Sequence, residues 1–98
     1  MDIEQAYKRL MEIKDEVPEL IYQNDGYQYL SPGIRETHKD KIKEIEEILK
    51  PHIPRLRRFD NFKLRKDGTF AIRCQYGWDE KFTGVGYFEA DHFTNKEN

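Results

Sequence analysis

Apolar residues in the first part of the chain recur with the period of an α-helix. Ile3, Tyr7 and Leu10 begin a stripe with spacings of four and three residues, which predicts an amphipathic helix over about residues 2–17. Pro18 disfavours helical geometry at the residue before it and can open a new turn. A short extra helix is therefore expected directly after the first one.

A second stripe, from Ile34 to Leu49, has the same period and predicts a single helix over about residues 32–50. Ser31 and Pro32 supply the capping hydroxyl and the first-turn proline that are typical of a helix start. These two stretches are the main helical elements that the sequence predicts.

Beyond residue 54 apolar and polar residues alternate, which indicates β-strands. The alternating runs predict three strands, over about residues 57–65, 69–78 and 82–92. The turns between them are short, so the strands are expected to form an antiparallel meander, followed by a frayed tail over residues 93–98. The predicted fold class is therefore α+β, with both main helices packed on one face of a three-stranded antiparallel sheet.

The register of the first hairpin follows from its turn. A three-residue loop with Gly68 in the left-handed conformation sets Leu64 opposite Phe70. The same register sets Phe62 opposite Ile72. A two-residue loop would mix apolar and polar side chains on each face, and a slip of one residue inverts every side chain, so we expect the first register.

In the second hairpin, the alternation sets Cys74 opposite Gly86 on the core face. Two residues away, Tyr76 falls opposite Gly84. Large residues thus meet small ones, which leaves room for Tyr76 and for a helix that crosses above. The Gly84-Val85-Gly86 segment is accordingly interpreted as a packing feature and not as a phosphate loop, because neither a third glycine nor a helix follows it.

Composition limits the class of protein. The 98 residues are 37% hydrophobic and 37% charged, with a net charge of −2, which suits one domain over residues 1–98 with a lean core. No apolar run is long enough to cross a membrane and the first residues do not form a signal peptide, so a cytoplasmic location and no membrane partner are expected. The single cysteine, Cys74, excludes an intramolecular disulfide and a cysteine-rich zinc site.

Residues suited to catalysis or metal binding are few and scattered. His38, His52 and His92 share no metal-ligand spacing, and Cys74 is expected to be buried and inert, so no metal and no cofactor is predicted. Asp91 beside His92 is half of a common acid–base arrangement, and a small enzyme around this pair is one alternative function. No nucleophile accompanies the pair, so the sequence favours a protein that is not an enzyme.

Charge is distributed unevenly along the chain. Residues 1–49 carry 7 Lys/Arg and 12 Asp/Glu, residues 50–73 carry 8 and 2, and residues 74–98 carry 2 and 5, so the net charges are −5, +6 and −3. A basic segment interleaved with aromatic residues is typical of modules that bind single-stranded nucleic acid. Binding of nucleic acid through residues 50–73 is therefore another alternative function, although the negative net charge argues against a binder that relies on bulk charge.

Part of the basic segment is expected to pair within the protein. The strand register places Lys63 near Glu89 across the outer face of the sheet. It places Arg65 near Asp91 in the same way. The cations that are left as candidates for binding a partner are Arg55, Arg57, Arg58 and Arg73.

A tyrosine-rich connection offers a second candidate surface. Tyr22, Tyr27 and Tyr29 flank Asn24-Asp25-Gly26, and tyrosine with small polar residues is typical of adaptable protein-binding loops. An equally open interpretation is that these rings fill gaps between the helices and the sheet.

The leading hypothesis is a small non-catalytic protein that binds a macromolecular partner, in the first place another protein. Short, highly charged domains without a catalytic site are common among accessory proteins of phages and mobile elements, which inhibit by occluding a host enzyme or a defence nuclease. Nucleic-acid binding and a small enzyme are the alternatives. A homodimer, formed through the isoleucine-rich second helix or the tyrosine-rich connection, is also open.

Overall fold

The structure, a computed structural model, describes residues 2–22, 30–66 and 68–77, together with the backbone of residues 83–88. Its elements are helix α1 (Ile3–Glu16), a single 3₁₀ turn (Pro18–Leu20), helices α2 (Pro32–Thr37) and α3 (Lys39–Leu49), and strands β1 (Leu56–Leu64), β2 (Phe70–Gly77) and β3 (Thr83–Phe88). The strands lie in one antiparallel sheet in the order β1-β2-β3. The predicted α+β class, with helices that precede an antiparallel sheet, is confirmed.

Helix α1 begins with a reciprocal cap. The Asp2 carboxylate accepts a hydrogen bond from the Gln5 backbone N–H at 2.8 Å, and the Gln5 side chain accepts one from the Asp2 backbone N–H at 3.2 Å. This capping box satisfies two of the backbone donors at the start of the helix. The helix buries Leu10 and Ile13 against the core, and the short extra helix expected after it is the 3₁₀ turn.

The prediction of a single helix over residues 32–50 is wrong, because two helices occupy this stretch. α2 ends at Thr37 and α3 begins at Lys39, with His38 between them in a non-helical conformation (φ −111°, ψ 25°). The Thr37 hydroxyl donates to the Gly33 carbonyl at 2.8 Å, and hydrogen bonds of this local kind bend helices. α2 buries none of its residues completely, and its Ile34 is packed, partly buried, against the core.

Strand β1 buries apolar residues at an unusual spacing. Leu56, Phe59 and Phe62 all belong to the core, although residues three apart in a regular strand lie on opposite faces. The pairing with β2 explains this, because it shifts by one residue at Arg57 and again at Asp60. Each of these β-bulges inserts one extra residue and so returns the next apolar side chain to the core face. Simple alternation does not predict either bulge.

Beyond the bulges the first hairpin has the predicted register. Phe62 lies opposite Ile72, and Leu64 lies opposite Phe70. Gly68 has a φ of 89°, the left-handed conformation that the turn requires and that side chains other than glycine rarely adopt. The turn and the hydrophobic pattern therefore agree on one register, as expected.

The pairs between β2 and the backbone of β3 are also those expected from the alternation. Cys74 lies opposite Gly86, and Tyr76 lies opposite Gly84. The part of the predicted third strand after residue 88 and the tail over residues 93–98 lie outside the described residues, as do the proposed ion-pair partners of Lys63 and Arg65.

The core lies between the sheet and the helices, and aromatic rings fill much of it. The Phe70 ring centroid is 4.9 Å from that of Tyr7 in α1 and 5.5 Å from that of Phe62 in β1. Leu64 lies opposite Phe70 but is 51% exposed, so the core does not extend over the last residue of β1.

An ion-pair network joins α1 to α3. Arg9 Nε lies 2.8 Å from Glu44 Oε2, and Arg9 Nη1 lies 3.2 Å from Glu12 and from Glu16. Lys41 Nζ lies 3.1 Å from Glu16. The hydrogen bond from Arg9 lowers the pKa of Glu44, and hydrogen bonds from Lys41 and Arg9 lower the pKa of Glu16. The acidic helices therefore neutralise part of their own charge.

We expect Arg9→Met to lower the free energy of unfolding at neutral pH by about 1 kcal/mol or less, the range of exposed ion pairs. Because the pKa of Glu44 is lowered by folding, its contribution is present above its ordinary value of 4.5 and is lost as the pH falls through the lowered value. Urea denaturation at several pH values should therefore show the difference from wild type shrinking in acid. Lys8→Met removes an exposed cation of the same helix as the control. Equal losses in both variants at every pH would contradict a role for the network.

Candidate partner-binding surface

The connection between α3 and β1 brings most of the predicted arginines together. Arg55 and Arg57 are exposed, and the Arg58 side chain is 41% exposed. Lys50, which follows α3, is exposed at the same connection. We call Lys50, Arg55, Arg57 and Arg58 the basic corner. Arg73, the remaining predicted arginine, is only 6% exposed and does not contribute to this surface.

A tight turn holds the basic corner in place. The N–H groups of His52 and Ile53 donate to the Leu49 carbonyl at 2.9 and 2.8 Å, which closes the chain after α3. Lys50 Nζ donates to the Leu56 carbonyl at 3.3 Å and so connects the end of the helix to the start of β1. The local backbone therefore determines where these cations lie.

Two arginines of the basic corner also contact the end of β2. The Gly77 N–H donates to the Arg55 carbonyl at 2.8 Å. The Arg57 guanidinium lies so close to Gly77 that a Cβ at this position would come within 2.6 Å of Arg57 Nε, whereas real Cβ contacts essentially never fall below 3.0 Å. A glycine at position 77 is therefore needed for the observed position of the Arg57 side chain.

Arg58 and Arg73 meet at a buried carboxylate. Asp60 is fully buried, and its Oδ1 accepts a hydrogen bond from Arg58 Nε at 2.8 Å. Gln75 Nε2 lies 3.3 Å from both carboxylate oxygens, and Arg73 Nε lies 3.5 Å from Oδ2. The bulge turns Asp60 towards these β2 side chains, which alternate with the core residues of β2.

This network bears on the prediction for two of the arginines. The charge pattern predicts that Arg58 and Arg73 bind an external partner, yet both are within ion-pair distance of Asp60. Arg73 is buried beside that carboxylate and is not part of the exposed basic corner, so its role in binding a partner stays a prediction that its burial does not favour. Arg58 keeps one side exposed and still belongs to the basic corner.

Two residues that the sequence patterns do not single out complete the surface. Glu46 Oε2, on α3, accepts a hydrogen bond from the Phe59 N–H at 2.9 Å, and Arg35 Nη1, on α2, donates to the Phe59 carbonyl at 2.8 Å. Both groups of Phe59 lie on the edge of β1 that faces away from β2, where a strand has no neighbour to bond. Glu46 and Arg35 lie 13 and 24 residues from Phe59 in sequence, so no local motif connects them.

The structure describes Tyr22 of the tyrosine-rich connection but not the other two tyrosines. Tyr22 is half-buried, and its backbone N–H donates to the Phe62 carbonyl at 2.6 Å, beside a parallel bridge between Ile21 and Phe62. Tyr27 and Tyr29 lie outside the described residues. The proposal that these rings bind a partner therefore stays a prediction, while Tyr22 is shown to bind the outer edge of β1 through its backbone.

The aromatic residues of the basic segment are not available for stacking. Phe59 and Phe62 are fully buried, and Phe70 is 1% exposed. Single-stranded nucleic acid is held by cationic grooves together with exposed rings on which bases stack. The interleaving of basic and aromatic residues in the sequence therefore reflects a core face and a surface face, and it does not form a stacking platform.

Chemically reactive groups are scarce in the described part of the chain. Burial, with the charges of Asp60 and Glu46 nearby, raises the pKa of the Cys74 thiol to about 12, so the thiol stays protonated at neutral pH. No group of three His, Cys, Asp or Glu side chains among the described residues is placed to hold a metal ion. Asp91 and His92 lie outside the described residues, so the enzyme alternative is not tested.

None of the helices in the described ranges combines the length and the apolar composition needed to cross a membrane. No protein-family model, no curated protein and no solved structure matches the chain.

We expect Asp60→Asn to lower the free energy of unfolding by about 3–5 kcal/mol, because it leaves the charge of Arg73 buried without its carboxylate. Glu47→Gln, which neutralises an exposed carboxylate on α3, is the matched control and should change stability by less than about 0.5 kcal/mol. Urea denaturation of both variants measures the difference. Similar stabilities for the two would show that the buried network is not a structural requirement.

Proposed function

We propose that this protein is a non-catalytic binding module that uses the basic corner to bind an acidic surface of another protein. The proposal is supported by the directions in which the charged side chains of this region face. Arg55 and Arg57 are exposed, whereas the adjoining carboxylates, Glu46 and Asp60, are bound to the β1 backbone and inside the buried network. The corner therefore presents cations outwards and carboxylates inwards.

The position of the basic corner is also largely set before a partner arrives. The Arg57 guanidinium rests on Gly77, and Arg58 is tied to the buried Asp60. Side chains that are already ordered lose less conformational entropy on binding, so the same contacts yield a higher affinity. Exposed cations on mobile side chains would not have this advantage.

A protein partner fits the surface better than a nucleic acid does. The aromatic residues of the basic segment are buried in the core, so they supply no stacking surface. Helix α3, which leads into the corner, carries the exposed carboxylate of Glu47, which would repel a long polyanion that extends beyond the corner. A folded partner with a compact acidic patch avoids that repulsion.

Binding of this kind acts by covering the partner. The basic corner carries charged groups that suit recognition of a partner. No group that makes or breaks covalent bonds has been assigned to it. The proposed mechanism is therefore occlusion, as expected of an accessory protein or inhibitor that blocks a host enzyme or a defence nuclease.

We expect the double charge reversal Arg55→Glu with Arg57→Glu to lower affinity for the partner by at least about tenfold, because attraction becomes repulsion. Lys39→Glu with Lys43→Glu makes the same change of net charge at exposed sites on α3 and should bind as the wild type does. The measurement is affinity capture from the native host with the tagged full chain, before and after nuclease treatment. Captured proteins are then quantified for each variant.

The outcomes separate the candidate functions. A protein that survives nuclease treatment, binds the wild type and the α3 control, and is lost with the corner variant supports the proposal. Capture that disappears with nuclease, with affinity falling steeply between about 50 and about 200 mM salt, would instead support nucleic-acid binding. Equal capture by both reversed variants would exclude the basic corner as the binding surface.

Gly77→Ala tests the position of Arg57 without changing any charge. The new Cβ would displace the guanidinium, which is the flexible end of a long side chain, so the free energy of unfolding should change by less than about 1 kcal/mol. Binding to the captured partner should weaken because Arg57 loses its fixed position. Denaturation and affinity are measured on the same variant, with Gly33→Ala, where a Cβ has space, as the control. Unchanged affinity would show that the placement of Arg57 on Gly77 does not matter for binding.

A further inference from the structure

Strand β3 forms one edge of the sheet. The strand order is β1-β2-β3, so within the part of the chain that the structure describes, β3 has a neighbour on the side of β2 only. Its pairing with β2 runs without a register shift from Gly77 and Thr83 to Ile72 and Phe88. A strand in this position carries one row of backbone groups that its own sheet does not bond.

The hydrogen bonds of β2 show which groups of β3 belong to that row. The Gly77 N–H donates at 2.8 Å to the carbonyl of Arg55, the residue directly before β1. Since the N–H and the C=O of one residue in an antiparallel strand point the same way, Gly77 directs neither group at its partner Thr83. The N–H and C=O of Thr83 therefore point away from β2, and by alternation those of Val85 and Tyr87 do so too.

The two edges of the sheet differ in how they are protected. The pairing of β1 contains two bulges, and its outward groups at Phe59 are bound by Glu46 and Arg35. Over the described residues, no backbone group is bonded to the outward row of β3. β3 also contains no charged residue and no proline and pairs without a bulge, so it lacks the features that commonly block strand addition. It is therefore the edge at which this sheet can be extended.

We propose that β3 pairs antiparallel with β3 of a second copy of this chain, about a two-fold axis that passes beside Val85. This pairing places Val85 opposite Val85 of the second copy, and Thr83 opposite Tyr87 of the second copy. The three outward residues of each strand then exchange six hydrogen bonds, which use every outward N–H and C=O of the row. An axis displaced along the strand leaves some of these groups without a partner in β3 of the other copy.

A second copy fits this edge better than the acidic partner of the basic corner does. β3 carries no cation that would attract an acidic strand, whereas two uncharged strands of equal length meet without like-charge repulsion. The outer edge of β1 is already bound by side chains of α2 and α3, so β3 of one copy cannot pair with β1 of another. Pairing therefore closes after two copies and does not continue into a fibre.

The charged helices beside β1 stay far apart in this dimer. α2 and α3 contact the outer edge of β1 through Arg35 and Glu46. Five strand spacings of ~4.8 Å separate β1 from β1 of the second copy, which is about 24 Å in all. The Debye length at physiological ionic strength is about 8 Å, so repulsion between these two sides is screened.

This inference goes beyond the proposed function and does not depend on it. The basic corner lies at the connection between α3 and β1, whereas the new interface is the outer edge of β3. The dimer presents two basic corners, so a partner with two acidic sites in reach is bound more tightly than by a single chain.

Sedimentation equilibrium of the full chain, over an about hundredfold range of concentration, tests the dimer. The wild type should pass from monomer to dimer as the concentration rises. Val85→Pro removes an N–H that faces away from β2, so the bonds between β2 and β3 stay in place. The dimer of this variant should be at least about tenfold weaker, because two of the six hydrogen bonds between the copies are lost. Val85→Thr, the control, keeps the N–H and the β-branched shape and should associate as the wild type does.

Cysteine cross-linking tests the register. The two Cα atoms of a hydrogen-bonded antiparallel pair are about 5.5 Å apart, which a disulfide can span. Val85→Cys should therefore give a covalent dimer with oxidised glutathione. Thr83→Cys should not, because position 83 of one copy is displaced by about 14 Å along the strand from position 83 of the other. The wild type, whose Cys74 is buried, is the control.

Each result decides for or against the β3 interface. A wild type that stays monomeric at every concentration would overturn the proposal, as would equal association of Val85→Pro and the wild type. Equal cross-linking of the two cysteine variants would exclude the axis at Val85. If circular dichroism shows that Val85→Pro is unfolded, Val85→Lys takes its place, since it sets two like charges opposite each other, and undiminished association would then overturn the pairing. Capture through the basic corner is measured separately, so none of these outcomes decides the proposed function.

Discussion

The buried carboxylate of Asp60 is the constraint on which the arrangement of β1 depends. A charged group without solvent must be paired and hydrogen-bonded, and Asp60 meets this requirement with Arg58, Gln75 and Arg73. It reaches them because it is the extra residue of a β-bulge. The same bulge returns the following apolar residue to the core face, so the polar network and the aromatic core are satisfied by one distortion of the strand.

Features of the fold that depend on neighbouring residues in sequence could be predicted, and those that depend on distant partners could not. The Ser31 cap of α2 and the Gly68 turn each lie within a few residues, and the pattern indicates both correctly. The two bulges of β1 depend on the pairing with β2, and the break at His38 depends on a side-chain hydrogen bond that periodicity does not register. Alternation assumes a regular strand and helical periodicity assumes a straight helix, so neither rule contains the information needed.

The candidate surface shows the same division. Arg55 and Arg57 are exposed where the charge pattern predicts a basic segment, at the connection between α3 and β1. Arg73 has the same charge but belongs to the central strand, where it is buried within ion-pair distance of Asp60. Arg35 is the opposite case, since it lies in a helix of mixed charge and acquires its place only when α2 meets the edge of β1.

The outer edge of β1 has a consequence for the kind of complex that this protein can form. Its outward carbonyls at Leu56, Phe59 and Phe62, and the Phe59 N–H, are already bound to side chains of α2, of α3 and of Lys50 and to the backbone of Tyr22. A strand in this condition cannot serve as a template for strand addition, whether by a partner peptide or by an aggregating copy of the chain. A complex on this side of the molecule must therefore be made by side chains and not by main-chain pairing, which makes its affinity sensitive to single substitutions.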